Sequence, residues 1–273
     1  MEKLAFMYDL DETLSGGDEQ YKDLLKFLGQ DKDMFWVHND EHCLTENMDI
    51  VLGYTKTFID LAKRNGTPLT KSLLNSMGKN IEFFNGVDGW FDRINDYGKS
   101  KGFIIEHYLI SCGIKEIIEG SSIADKLNRI YANCYAYDER GEACWLSQVV
   151  NYTLKTQYIF RVKKNLLDNL TDIKKINDKQ SKDEQLPINN MFYFGDGDTD
   201  IPCMILVKEN GGHSIAVYNK ELPKKRASAL KILVDGRVNA SLEADYSEGS
   251  EIDKYVKSVI DKLAKQSKKV NKF

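Results

Sequence analysis

Residues 6–13 read FMYDLDET, an apolar run that ends in three carboxylates within four positions: Asp9, Asp11 and Glu12. Like charges crowded at one strand end repel each other unless something positive sits among them, and a metal ion would serve. The run itself, Leu4 to Tyr8, is apolar at every residue rather than at alternate ones. That is the pattern of a parallel strand buried on both faces.

The rest of the chain extends this reading. From about Ser15 to Gly102 the periodicity is helical, with Ile50, Tyr54, Phe58 and Leu61 on one face and a stop at Gly66 and Pro68. A second apolar strand, FIIEHYLI (103–110), ends in Ser111, Cys112 and Gly113, and IKEIIEG follows as a short helix. Residues 129–151 read as a hairpin turning at DERG, with Gly141 at the position that favours positive φ. A helix is predicted from near Tyr152. The polar stretch 171–190 reads as a helix end and a loop that Pro187 closes.

The strand MFYF then leads into GDGDTD, and Pro202 falls in the first turn of a helix that Thr199 or Asp200 caps and Gly211 and Gly212 end. SIAVY is a further strand, and EIDKYVKSVIDKLAK is a closing amphipathic helix. Strands alternating with helices predict an α/β fold with a Rossmann-like, largely parallel sheet core and an inserted helical cap domain. The expected division is 1–16 core, 17–102 cap and 103–273 core. In such sheets ligands bind beyond the carboxyl ends of the strands, where the polar clusters of this chain fall.

Composition narrows the function. A net charge of -4 argues against a nucleic-acid binder, since phosphate backbones are held by clustered Lys and Arg. The basic tail KLAKQSKKVNKF reads as a solvated helix end. No stretch of about 18 apolar residues occurs, and the N-terminal apolar stretch is too short for a signal peptide. Five scattered cysteines without a CxxC pair suit a reducing compartment. The expectation is a soluble, cytoplasmic protein that engages neither membrane nor nucleic acid.

Three strand ends carry unusual polar groups. Asp9 and Asp11, two apart in extended chain, can face one site while Leu10 points to the core. Asp196, Asp198 and Asp200 form a second acidic cluster that Gly195 and Gly197 allow to bend sharply. Together they make an oxygen-rich pocket suited to magnesium. A carboxylate beside such an ion can attack phosphorus, and a second one two residues on can protonate the leaving oxygen and later activate water. A lysine and a serine hydroxyl would hold the transferring phosphoryl group.

These residues resemble the haloacid dehalogenase superfamily of phosphohydrolases. DLDET is similar to its first motif, YLISCG to its second and GDGDTD to its fourth, and the resemblance runs from Asp9 to about Tyr218. It implies that Asp9 is the nucleophile that becomes an aspartyl phosphate and Asp11 the general acid and base. It further implies that Ser111 and Lys155 bind the phosphoryl group. Magnesium would then be held by Asp9, Asp196 and the Asp11 backbone carbonyl, with Asp200 holding the metal's waters or contacting Lys155. The third motif is a lone lysine at a helix start; Lys155 follows the hairpin as in phosphoserine-phosphatase-like members, while Lys163 and Lys164 lie two turns deeper. Asp11 favours phosphate over carbon–halogen chemistry, and the cap implies a small phosphorylated metabolite as substrate. A phosphotransferase of the same superfamily and a non-catalytic phosphate-ligand binder remain alternatives.

Blander readings stand beside these. Ser111 also suits a turn, Asp198 a structural place in its loop, Cys112 and His213 the interior, and Trp90, Ile94 and Tyr97 a core-facing helix stripe. Cys134 and Arg140 have the C-x5-R spacing of cysteine-dependent phosphatases, but Asp138 and Glu139 between them would repel phosphate. Trp36, His38 and His42 are candidate cap contacts to substrate.

Overall fold

The computed structural model describes residues 1–168, 170, 173–181 and 184–270, of which 173 and 268–270 are described by their backbone alone. Seven strands form one sheet: β1 (Glu2–Tyr8), β2 (Phe103–Ile114), β3 (Arg129–Tyr137), β4 (Ala143–Gln148), β5 (Met191–Gly195), β6 (His213–Tyr218) and β7 (Ala240–Glu243). Their order is β4-β3-β2-β1-β5-β6-β7, and every neighbouring pair is parallel except the β3–β4 hairpin. In that hairpin Gly141 takes φ 75°, and Asp138 Oδ1 accepts from the backbone N–H groups of Arg140 and Glu142. The turn carboxylate is thus used by its own backbone.

The helices are α1 (Lys22–Phe27), α2 (Lys32–Glu46), α3 (Ile50–Asn65), α4 (Lys71–Met77), α5 (Val87–Lys101), α6 (Lys115–Ile118), α7 (Lys155–Lys163), α8 (Ile173–Asn177), α9 (Ile201–Glu209), α10 (Pro223–Val234) and α11 (Glu251–Val270). Central β1 explains the layering. Leu4, Phe6 and Tyr8 share a core with Trp90, Phe91 and Ile94 of α5 and Val256 and Ile260 of α11. Ala5 and Met7, pointing the other way, share a second core with Tyr158 and Ile159 of α7, Met204 and Val207 of α9, and Ile232 of α10. The strand is apolar throughout because helices cover both of its faces.

Within the expected insert, α1 to α4 build a third core, with Phe35 and Phe58 stacked at 4.9 Å, against Ile114, Ile117 and the hairpin residues Tyr135 and Ala143. The next helix, α5, packs on the sheet. The Tyr54 hydroxyl of α3 and the Asn133 amide of β3 both donate to the Cys112 carbonyl, fastening the insert to β2 where that strand leaves the sheet centre.

Some expectations need correction. β2 does not stop at Ile110 but runs to Ile114, with its register against β3 slipping between those residues. α10 and β7 were not anticipated, because PKKRAS begins one with charge and the other is four residues without alternation. Asp200 occupies the N-cap position of α9, yet its carboxylate makes no cap bond. Gly195 and Gly197 are not at positive φ; a Cβ on Gly195 would lie 2.5 Å from the Asp200 carboxyl carbon, so close approach accounts for that glycine. Of the polar stretch 171–190, residues 171, 172, 182 and 183 lie outside the described residues, as do 271–273 of the basic tail.

His107 of β2 sits in the first core, 1% exposed. Trp90 Nε1 donates to the Tyr8 hydroxyl (2.9 Å), that hydroxyl donates to His107 Nδ1 (3.1 Å), and His107 Nε2 donates to Asn95 Oδ1 (3.0 Å). Trp can only donate, so this direction satisfies every member with a neutral imidazole. Burial lowers the His107 pKa to about 3, with Asp92 opposing weakly. The unfolded chain protonates this imidazole below about 6.5, so between there and 3 it binds more protons than the folded chain, and stability is lost as the pH is lowered through this range. We expect the urea unfolding free energy to drop by about 1 kcal/mol more between pH 6 and pH 5 in the wild type than in His107→Gln; equal drops would remove His107 as the cause.

Candidate active site

β1 lies between β2 and β5, and its last residue, Tyr8, is in register with Leu109 and Phe194. The three chains therefore deliver Asp9, Ser111 and Asp196 to the same carboxyl edge of the sheet. The Asp9 N–H still donates to the Phe194 carbonyl (2.9 Å), which anchors its backbone as the strand ends. Beyond it, the Leu10 carbonyl accepts from the N–H groups of Thr13, Leu14 and Ser15, curling the chain.

This curl separates the three carboxylates of the opening motif. Asp9 is 6% exposed and faces Lys155, with Nζ 3.0 Å from Oδ1. Asp11 accepts through Oδ2 from the Gln20 amide (2.6 Å), while its Oδ1 is buried without a hydrogen-bond partner. Glu12 takes φ 57° and its carboxylate accepts from the Gly17 N–H (3.0 Å), so it closes the loop. The strand alternation does not continue through Asp11, because hydrogen bonding at Leu10 has already ended the extended chain.

Lys155, the first residue of α7, is fully buried. Its ammonium lies 2.8 Å from Asp200 Oδ1 and 3.4 Å from Thr199 Oγ1, as well as against Asp9. Asp200 Oδ1 also accepts from the Tyr193 hydroxyl (2.7 Å). Asp196 is paired with Lys225, near the start of α10, at 2.7 Å. Ser111 is fully buried and its Oγ accepts from the Gly113 N–H (2.9 Å), which leaves the hydroxyl proton free to donate. Lys163 closes α7, at the far end of the helix from Lys155.

Carboxylate oxygens of Asp9, Asp196 and Asp200 lie within 4.8 Å of one another. Burial raises the Asp9 pKa, and Asp200 raises it further against the pull of Lys155. Burial likewise pushes Asp196 up to about 6, with Asp200 adding and Lys225 opposing. Asp11 is pushed up to about 7 by burial, then by Asp18, against the Gln20 hydrogen bond. For Lys155, burial acts to lower the pKa, but Asp200 and Asp9 outweigh it and hold the ammonium charged. Three carboxylates facing two ammonium groups leave the cluster short of positive charge.

The residues present suit a hard divalent cation. The donors are oxygen only, and Asp200 Oδ2 is buried with no hydrogen-bond partner. Asp9 and Asp196 belong to the acidic trio; the Asp11 side chain does not, being turned to Gln20. Asp198 is exposed and outside it.

The other sequence candidates separate from this centre. Cys134 lies on β3 beside Glu116, burial raises its thiol pKa, and Arg140 stands in the exposed turn, so no phosphate cradle forms. His213 packs against Phe192, and Trp90 and Ile94 are fully buried. Trp36 packs among Tyr21, Phe35 and Tyr54, whereas His38 and His42 line a separate cleft with Arg64. Sequence reasoning missed Gln20, Tyr193 and Lys225. Tyr193 lies in an apolar strand with nothing to mark it, Gln20 and Lys225 in polar helix starts.

No protein-family model matches the chain. An uncharacterized protein of Borreliella burgdorferi is 26% identical over 284 residues, covering 93% of this chain and 95% of that one. Among solved structures, a HAD-family hydrolase of Salmonella enterica serovar Typhi superposes with a TM-score of 0.57 at 16% identity, over 90% of this chain and 68% of that one. A phosphoserine phosphatase captured as a phospho-aspartyl intermediate analogue gives 0.53 at 15% identity, over 94% and 99%. A probable phosphoserine phosphatase of Vibrio cholerae gives 0.58 at 13% identity, over 97% and 67%. The seven-stranded α/β architecture of this chain is the fold of the haloacid dehalogenase-type hydrolases, in its phosphoserine-phosphatase-like form.

Proposed function

We propose that this protein is a magnesium-dependent phosphomonoester hydrolase that acts on a small phosphorylated metabolite through an aspartyl phosphate on Asp9. The observation that carries the reading is the buried Lys155 ammonium between Asp9 and Asp200, with Asp196 beside them, at the carboxyl edge of a sheet whose fold it shares with phosphatases. A structural ion pair needs one carboxylate for one lysine. A cluster with surplus buried carboxylates needs a further cation, and supplies a nucleophile.

Asp9, Asp196 and the Asp11 backbone carbonyl would hold magnesium, with Asp200 at its margin. Bound there, the ion supplies positive charge that shields an attacking carboxylate from an anionic phosphate. Asp9 attacks phosphorus, and the bond from phosphorus to the leaving oxygen breaks as Asp11 gives that oxygen its proton, releasing an alcohol. Asp11, now a carboxylate, takes a proton from water as the water oxygen attacks the same phosphorus. The bond to Asp9 breaks, inorganic phosphate leaves and Asp11 is protonated again. Lys155 and the Ser111 hydroxyl bind the phosphoryl oxygens throughout. A carboxyl group raised to about 7 is partly protonated at neutral pH, as a general acid requires.

With Asp9 6% exposed and Ser111, Lys155 and Asp200 fully buried, substrate enters by movement of a covering element. The four helices α1 to α4, fastened near Cys112, are the lid in this reading. No helix among the described residues is long and apolar enough to cross a membrane, and all five cysteines are free. Both fit a cytoplasmic enzyme.

Purified protein should hydrolyse at least one member of a panel of phosphorylated sugars, amino acids, nucleotides and 4-nitrophenyl phosphate with magnesium, and lose that activity in EDTA. Asp9→Asn should lower turnover by about a thousandfold or more; full activity in that variant would end the aspartyl-phosphate reading. Asp11→Asn should lose about a hundredfold or more in turnover while still accumulating acid-stable label on Asp9 from an activated aryl phosphate. Lys155→Met should abolish turnover and lower the unfolding free energy at pH 7 by about 3 kcal/mol, since it strands Asp9 and Asp200 in the interior; unchanged stability would show that the lysine does not balance them.

A further inference from the structure

Gln20 lies in a single 3-10 turn (Glu19–Tyr21) at the entrance to α1, and it is 1% exposed. Its Oε1 accepts from the Ile114 N–H at 2.9 Å, and its Nε2 donates to Asp11 Oδ2 at 2.6 Å. A backbone N–H can only donate, so Ile114 dictates which end of the amide is oxygen. The amide nitrogen is thereby committed to Asp11. A carboxyl oxygen that accepts from this N–H is the unprotonated one, so the acidic hydrogen belongs on Oδ1. That oxygen is buried and has no hydrogen-bond partner in the protein.

A second feature, on a different element, points to the same contact. A Cβ on Gly113 would lie 2.1 Å from Gln20 Oε1 and 2.3 Å from Nε2. The glycine of the SCG segment is there because the Gln20 amide fills the space a side chain would need. Its φ is not positive, so backbone freedom is not what it provides.

We infer that Gln20 is a positioning residue for proton transfer: it holds Asp11 Oδ2 as an acceptor and presents Oδ1 as the oxygen that gives its proton to the leaving group. The inference rests on the phosphatase reading above. It also makes the link between lid and chemistry concrete, because Gln20 begins the insert, and the oxygen it orients acts on the substrate's departing oxygen.

The test separates orientation of the acid from general support of the fold. The quantity kcat/KM reports steps through the first irreversible one, here phosphorylation of Asp9, and an acid matters most where the leaving group is poor. Wild type, Gln20→Met and Gly113→Ala are to be compared on phenyl phosphate and 4-nitrophenyl phosphate with saturating magnesium. Gln20→Met keeps the bulk of the side chain and removes the donor. Gly113→Ala leaves Gln20 in the sequence and evicts its amide, whose flexible end can swing away.

For both variants the ratio of kcat/KM on 4-nitrophenyl phosphate to that on phenyl phosphate should rise at least about tenfold above the wild-type ratio, with loss concentrated on the poor leaving group. A uniform loss on both substrates, or none, overturns the inference. If Gln20→Met does not fold by circular dichroism, Gly113→Ala decides alone by the same ratio. Wild-type activity that survives in Asp9→Asn would instead overturn the aspartyl-phosphate mechanism on which the inference rests, whatever the ratios.

Discussion

The structure depends on one buried cation. Lys155 has no exposed surface and sits between Asp9 and Asp200, each on a different segment from the other and from itself. Desolvating an ammonium costs several kcal/mol unless opposite charge and hydrogen bonds meet it, and the same holds for the carboxylates. None of the three could be buried without the others. This mutual need fixes the loop after β1, the loop after β5 and the start of α7 at one point, and Tyr193 adds a hydroxyl from beneath on the same Asp200 oxygen.

The balance is deliberately incomplete in chemical terms. Asp196 brings a third carboxylate and Lys225 a second ammonium, but Lys225 is on a more open side chain than Lys155. Burial therefore raises Asp9 and Asp196 above the usual carboxylate range instead of leaving them fully relieved by their lysines. An added hard cation would relieve them; so would a proton. A site held in this condition favours whatever positive charge arrives, which is the condition that a metal-assisted nucleophile requires.

The opening motif illustrates how neighbouring residues of one type diverge once the chain folds. Asp9 meets the buried lysine, Asp11 meets Gln20, and Glu12 turns back to the Gly17 N–H. What separates them is the set of three N–H bonds converging on the Leu10 carbonyl. Gln20 in turn ties this loop to β2 through Ile114, so Asp11, the end of β2 and the first residues of the insert are joined through one amide.

The apolar run at Leu4–Tyr8, the carboxylates at its end, the hairpin around Gly141 and the GDGDTD loop were legible in the amino-acid sequence, because local periodicity and turn chemistry are written residue by residue. So were the α/β class and the candidacy of Asp9, Asp11, Ser111, Lys155, Asp196 and Asp200. The length of β2, the existence of β7 and the packing of α5 on the sheet were not, since each is set by what lies across from it. Nor were Gln20, Tyr193 and Lys225, whose partners are 9, 7 and 29 residues away in the chain. The sequence by itself determined which chemical groups are available and at which strand ends they emerge. Only the tertiary structure decided which carboxylate meets which cation and which meets an amide, because burial makes those pairings obligatory and burial is a property of the packed chain.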